Sequence, residues 1–283
     1  IDHKVVVLAG DGCMQEGVAA EAISFAGHAG LDNLILIFDS NDVTLDAMAD
    51  QTQSYDAIKR MEALGWEAQR VDGHNMDEFL AAFEKAKSST SGKPQFIEAK
   101  TLIARGIEEV QGTAGGHGEG GAEYADKARK SLGLPEEKYH VSDDVRAYFK
   151  QHAERLKSIY RDWRETFEAW EGANPGLARE LETSQSYEFG SSEELLDAVP
   201  VFEAGKAAAT RASGGGVLNA LAQKLPSIVS GSADLHGSTK NYLKDMGDFS
   251  RDNPGGRNIR FGIREHAMGA MLNGMAYYGV FRG

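Results

Sequence analysis

Four short stretches alternate with helical ones over the first hundred residues, and this alternation constrains the fold more than any other feature. Residues 5–8 and 34–38 read as buried strands and 67–71 and 95–99 as further strands, each bounded by Gly, Asp, Asn or Pro. Residues 18–29, 56–64 and 76–88 carry helical spacing, and Asp77 and Glu78 complement the dipole at the start of the last. Helices between successive strands predict a parallel, doubly wound α/β sheet. In such sheets ligands sit at the carboxyl ends of the strands. Asp11, Asn41 and His74 all fall there.

Beyond residue 100 the pattern changes. Residues 101–123 are glycine-rich and aperiodic, which predicts a long functional loop. Residues 142–182 are charged and amphipathic and predict a helical connection. A second α/β unit is expected from about residue 201, with a helix over 205–223, short strands at 228–229 and 258–261, and a helix over 267–278. The expected division is 1–140, a connection over 141–200, and 201–283. The opening at Ile1 leads straight into a strand, and the close at Gly283 falls within a pattern, so a fragment of a longer protein is expected.

Composition narrows the function. With 43 acidic and 30 basic side chains the formal net charge is −13, which argues against nucleic acid as the main partner. Cys13 is the one cysteine, so neither an internal disulfide framework nor a cysteine metal cluster is expected, and a cytoplasmic, reducing compartment fits. No apolar run reaches membrane-spanning length, and no membrane partner is expected.

The sharpest chemical signal is Gly10-Asp11-Gly12 after one strand with Asn41 after the next. Glycines admit a phosphate close to the backbone. Asp11 and the Asn41 amide oxygen are hard donors suited to Mg²⁺ or Ca²⁺, with a carbonyl near Val43 and a diphosphate supplying further oxygens. Taken alone, Gly-Asp-Gly is also an ordinary turn and Asn41 an ordinary helix cap.

The run Gly10-Asp11-Gly12-Cys13-Met14-Gln15-Glu16-Gly17 with Asn41 resembles the thiamine diphosphate motif of transketolases. Gly231-Ser232-Ala233-Asp234-Leu235 and the run from Arg260 through Gly262-Ile263-Arg264-Glu265-His266 to Met268 resemble later segments of the same family, in the same order. The resemblance spans the chain. It implies the back half of a diphosphate-binding domain, a linker and the front of a pyrimidine-binding domain; the N-terminal part, the rest of the pyrimidine domain and the C-terminal domain would lie outside.

That resemblance implies a two-carbon ketol transfer from a ketose phosphate to an aldose phosphate through the thiamine diphosphate ylid, in a homodimer with the cofactor at the subunit interface. Glu265 would hydrogen-bond the aminopyrimidine, with a raised pKa in a closed site. Asp11, Asn41 and the Val43 carbonyl would hold the cation; Gly10 and Gly12 would approach the diphosphate, and Leu45 would pack on the thiazolium. Asp234 would position the cofactor from the partner subunit. His117 would contact the diphosphate or a substrate hydroxyl and move protons. Arg211 and Ser238 would bind a sugar phosphate, although Gly237-Ser238-Thr239 departs from the family's Pro-Ser-Asn. Glu16 and Glu21 match acids that meet across the family's dimer. His74 resembles a family position but is not read as catalytic, and His28 is read as structural. The alternatives are another thiamine diphosphate enzyme, such as a 1-deoxyxylulose-5-phosphate synthase or a dihydroxyacetone synthase, and a non-catalytic cofactor-binding or dimerisation module.

Overall fold

The computed structural model describes residues 3–118 and 124–283. The first unit runs β1 (Val5–Gly10), α1 (Asp11–Gln15), α2 (Gly17–Ala29), β2 (Leu34–Ser40), α3 (Ala57–Ala63), β3 (Glu67–Asp72), α4 (Met76–Lys87) and β4 (Gln95–Lys100). The strands pair in the order β1-β2-β4-β3, all parallel. Successive side chains of a strand point to opposite faces. Leu36, Phe38 and Phe96 therefore pack with Met14, Ile23, Met61 and Trp66 on one side, while Ile35, Ile37 and Ile97 pack with Val71, Ala82 and Ala86 on the other. Local chemistry starts the helices: Asp56 Oδ1 accepts the Ile58 amide at 2.9 Å, and Asn75 Oδ1 accepts the Glu78 amide at 3.2 Å.

The expectation of a buried first strand is corrected. Val5, Val6 and Val7 are each at least 40% exposed, and Leu8 is 76% exposed. The reason is sheet order: β1 lies at an edge with β2 as its sheet neighbour, whereas β2 and β4 are central and covered on both faces.

After α5 (Ala125–Ser131), the connection holds three helices: α6 (Asp143–Ala173), α7 (Pro175–Ser186) and α8 (Ser192–Ala198). Pro175 divides the expected helical connection, because the residue before a proline is driven out of the helical region. Ser191 and Glu194 form a reciprocal capping box that starts α8. The expected 101–123 loop falls partly outside the described residues; its described part is a run of turns that includes a 3-10 turn at Ala114–Gly116.

The second unit contains α9 (Thr210–Lys224), β5 (Ser230–Ser232), α10 (His236–Thr239), β6 (Asn258–Arg260) and α11 (Glu265–Tyr278). The predicted strand at 228–229 is displaced. Ile228 makes one isolated bridge to Arg282, and the parallel ladder with β6 begins at Ser230. Small residues suit that ladder, since a Cβ on Gly231 would overlap the Phe261 ring. The two units share a core in which Phe25 of α2 packs on Phe261, with ring centroids 5.4 Å apart. Glu21 Oε2 accepts the Ala267 amide at 2.9 Å, and Arg264 Nη2 donates to Ser24 Oγ at 3.0 Å.

Candidate active site

The register of β1 on β2 pairs Gly10 with Asp39, so both chains leave the sheet side by side. Asp11 begins α1 and is 2% exposed. Its Oδ2 accepts the Asn41 amide at 3.0 Å and the Asp42 amide at 3.1 Å. Among the described residues, both hydrogen bonds that this carboxyl accepts fall on Oδ2. Burial, the largest influence, lifts its pKa above the usual carboxylate value; the Asn41 and Asp42 amides and Lys100 pull the other way, and the Asp42 charge adds to the rise. The Asn41 Oδ1 accepts the Val43 amide at 3.1 Å, which closes a tight turn and leaves that oxygen a second lone pair. Val43 is buried and bridges to Met48. A Cβ at Gly10 or Gly12 would meet nothing within 4 Å, so the backbone there faces open space.

This donor set fits a hard divalent cation with a diphosphate. Among the described residues, no group of three His, Cys, Asp or Glu side chains converges to hold a metal. The protein therefore offers one carboxylate, one amide oxygen and one carbonyl, and further oxygens would complete the coordination.

The other predicted residues sit on separate loops and helix ends of both units. Leu45 is 73% exposed, so an ordinary core role for it is excluded. His117 follows the Ala114–Gly116 turn, and its Nε2 is buried with no hydrogen-bond partner among the described residues. Glu265 is the first residue of α11 and is exposed. The closed surround expected around it is therefore not built by the described residues alone. Asp234 is exposed, at φ 63°, past the end of β5. It lines a polar cavity of about 380 Å³ with His28, His236, Arg260 and Arg264, which includes the junction between the two units. Arg211, in the first turn of α9, and Ser238, in α10, are both exposed. His74 Nε2 accepts the Leu102 amide at 2.8 Å, a structural bond.

Two residues near the centre escaped sequence reasoning. Lys100 Nζ donates to Asp42 Oδ1 at 2.7 Å and to Ser40 Oγ at 3.1 Å. Asp42 itself holds φ 63°. The pair is separated by 58 positions, and the one available signal was that Lys100 ends the strand that neighbours β2.

A doubly wound parallel sheet, with a carboxylate and an amide brought together beyond two neighbouring strands, is the arrangement expected of the thiamine diphosphate-binding class of α/β proteins. The family models agree: "Transketolase, thiamine diphosphate binding domain" matches residues 1–189, and "Transketolase, pyrimidine binding domain" matches residues 206–282. The chain belongs to the transketolase family. It is 55% identical over 282 residues to the transketolase of Dictyostelium discoideum and 56% identical over 282 residues to that of Physarum polycephalum. Each alignment covers 99% of this chain and 42% of the relative, so the chain spans less than half the length of these relatives. Among solved structures, the transketolase of Leishmania mexicana superposes with a TM-score of 0.92 at 31% identity, covering 99% of this chain and 42% of that one. A Pichia stipitis transketolase in complex with sedoheptulose-7-phosphate superposes at 0.89 and 33% identity, with the same coverage.

Proposed function

We propose that the protein to which this chain belongs is a homodimeric, cytoplasmic transketolase of the pentose phosphate pathway, using thiamine diphosphate with Mg²⁺ or Ca²⁺. The observation that carries the reading is the clasp of Asp11 by the Asn41–Asp42 amides, which directs Oδ2 to the backbone and leaves Oδ1 for a cation. Family membership and the sugar phosphate named for the Pichia stipitis protein support sugar phosphates as substrates.

When bound, thiamine diphosphate supplies the carbon nucleophile and electron sink that a ketol transfer needs. The chain's own residues bind, orient and move protons. Asp11, Asn41 and the Val43 carbonyl hold the cation, and the open backbone at Gly10 and Gly12 receives the diphosphate. Leu45, exposed beyond that turn, packs on the thiazolium. Glu265, at the start of α11, would hydrogen-bond the aminopyrimidine and hold a proton there. Asp234 orients the cofactor of the partner subunit. His117 Nε2, without a hydrogen-bond partner among the described residues, would hydrogen-bond the diphosphate or a substrate hydroxyl. Arg211 grips the substrate phosphate and Ser238 adds a hydroxyl donor. The exposed position of Glu265 in the single chain suits a site completed by a second subunit.

Titration of thiamine diphosphate into the intact protein, with and without Mg²⁺, tests the reading. Asp11→Ala is expected to abolish Mg²⁺-dependent binding, and retained tight binding overturns the metal role. Transfer between pentose phosphates is the expected activity. Pyruvate consumption with release of carbon dioxide would instead identify a 1-deoxyxylulose-5-phosphate synthase, and cofactor binding without turnover a non-catalytic module.

A further inference from the structure

Asp42 holds the left-handed backbone region at φ 63°, which non-glycine residues occupy when surrounding contacts hold them there. That conformation turns the Asn41 and Asp42 amides together onto one oxygen of Asp11. Among the described residues, Lys100 Nζ pairs with the Asp42 carboxylate at 2.7 Å. Lys100 is itself aimed from inside the sheet. Its register partner on β2 is Ser40, whose hydroxyl accepts from Nζ at 3.1 Å and donates to Glu98 Oε1 at 3.3 Å. Glu98 is 4% exposed, and its other oxygen accepts Arg70 Nε at 2.9 Å. A buried carboxylate therefore anchors a polar ladder that ends at the cation loop.

The Lys100 and Asp42 side chains are 39% and 61% exposed, and an ion pair so open to water adds little to global stability. Its consequence is directional. With Lys100 in place, the Asp42 carboxylate is tied toward β4 while the Asp42 amide faces Asp11. Without it, the carboxylate is free to swing, and the turn keeps only the Ala49 amide on the Asp42 carbonyl at 2.8 Å and the Val43 amide on Asn41 Oδ1 at 3.1 Å to hold the two amides on Asp11.

We propose that Lys100 is a positioning residue for the cation site and acts through Asp42. The inference rests on the proposed cofactor role of Asp11 and Asn41, and concerns which residues shape that site before any ligand arrives. Residues that orient metal ligands from behind commonly change metal affinity by about 10- to 100-fold when removed.

The test is a double-mutant cycle in the intact protein, using Lys100→Met and Asp42→Gly. Glycine adopts the left-handed conformation without an anchor. Two quantities are read: hydrogen exchange at the Asn41 and Asp42 amides in ligand-free protein, and thiamine diphosphate affinity as Mg²⁺ is varied. Lys100→Met is expected to accelerate exchange at those two amides by about tenfold. It should weaken Mg²⁺-dependent binding by about 10- to 100-fold. Lys100→Arg, which keeps the ion pair, should stay within about threefold of the parent, and in the Asp42→Gly background Lys100→Met should cost no more than about threefold. Equal losses in both backgrounds would overturn the proposal, because Lys100 would then touch the ligand itself. So would unchanged amide exchange, or exchange accelerated throughout β1 and β2 with a fall in melting temperature. A parent protein that binds no thiamine diphosphate refutes the cofactor reading, while the exchange measurement still decides the role of Lys100.

Discussion

Asp11 shows how one residue is placed at a cost to the fold. Its carboxyl is 2% exposed, and burial lifts its pKa above 3.8 despite two amide hydrogen bonds. A carboxyl whose pKa is higher in the folded state contributes stability that is fully present below its unfolded value and is lost as pH rises through the folded one. In metal-free protein, Asp11→Asn is therefore expected to melt above the parent at about pH 8 and no higher below about pH 4. Saturating Mg²⁺ and thiamine diphosphate should reverse the order, since binding stabilises the folded state of the parent alone. Thermal melting across pH checks this, and an Asp11→Asn variant less stable than metal-free parent at about pH 8 would contradict it. The strained Asp42 beside it belongs to the same local arrangement, a backbone held off its resting conformation where ligands are to be met.

At the scale of elements, helices α2 and α11 control each other. The N-cap of α11 is Arg264, which gives no side-chain cap and carries the wrong charge for a helix N-terminus. Glu21 of α2 supplies the missing acceptor by taking the Ala267 amide at 2.9 Å, and Arg264 is drawn aside to Ser24 and the Phe261 carbonyl. Glu21→Ala is expected to cost about 1 kcal/mol, the usual worth of a cap, while Glu21→Gln keeps most of it. Chemical denaturation of both variants decides, and equal losses would remove the capping role. On its other side α2 passes close against the turn after α3, where a Cβ on Gly27 would overlap the Leu64 carbonyl oxygen. Because the obstacle is backbone, Gly27→Ala should destabilise by about 3 kcal/mol, measured in the same way.

At the scale of the molecule, the two units are joined by a shared apolar core. Phe261, 1% exposed, packs on Phe25 and sits with Ala29 and Ile259 against methionines of α11. Phe261→Ala should cost about 3 to 5 kcal/mol. The loss should appear in both units at once, as a single calorimetric transition shifted down. Two separated transitions would show that the units fold independently. Elsewhere the fold is less covered. On α6, Tyr160, Trp163, Phe167 and Trp170 stack in sequence with centroids 5.7, 5.3 and 5.6 Å apart, and Tyr160 and Trp163 are more than half exposed.

Hydrophobic period and punctuation alone made the parallel α/β class legible, together with the loops that carry Asp11 and Asn41, because strands, helices and glycine turns are written in neighbouring residues. The helix break at Pro175 and the capping box at Ser191 were equally local and could have been read. Tertiary structure alone decided the rest. The exposure of β1 depends on the order β1-β2-β4-β3, which no periodicity encodes. The Lys100–Asp42 pair and the Glu21 cap join residues 58 and 246 positions apart, so they exist only once the sheet order and the contact between units bring their carriers together.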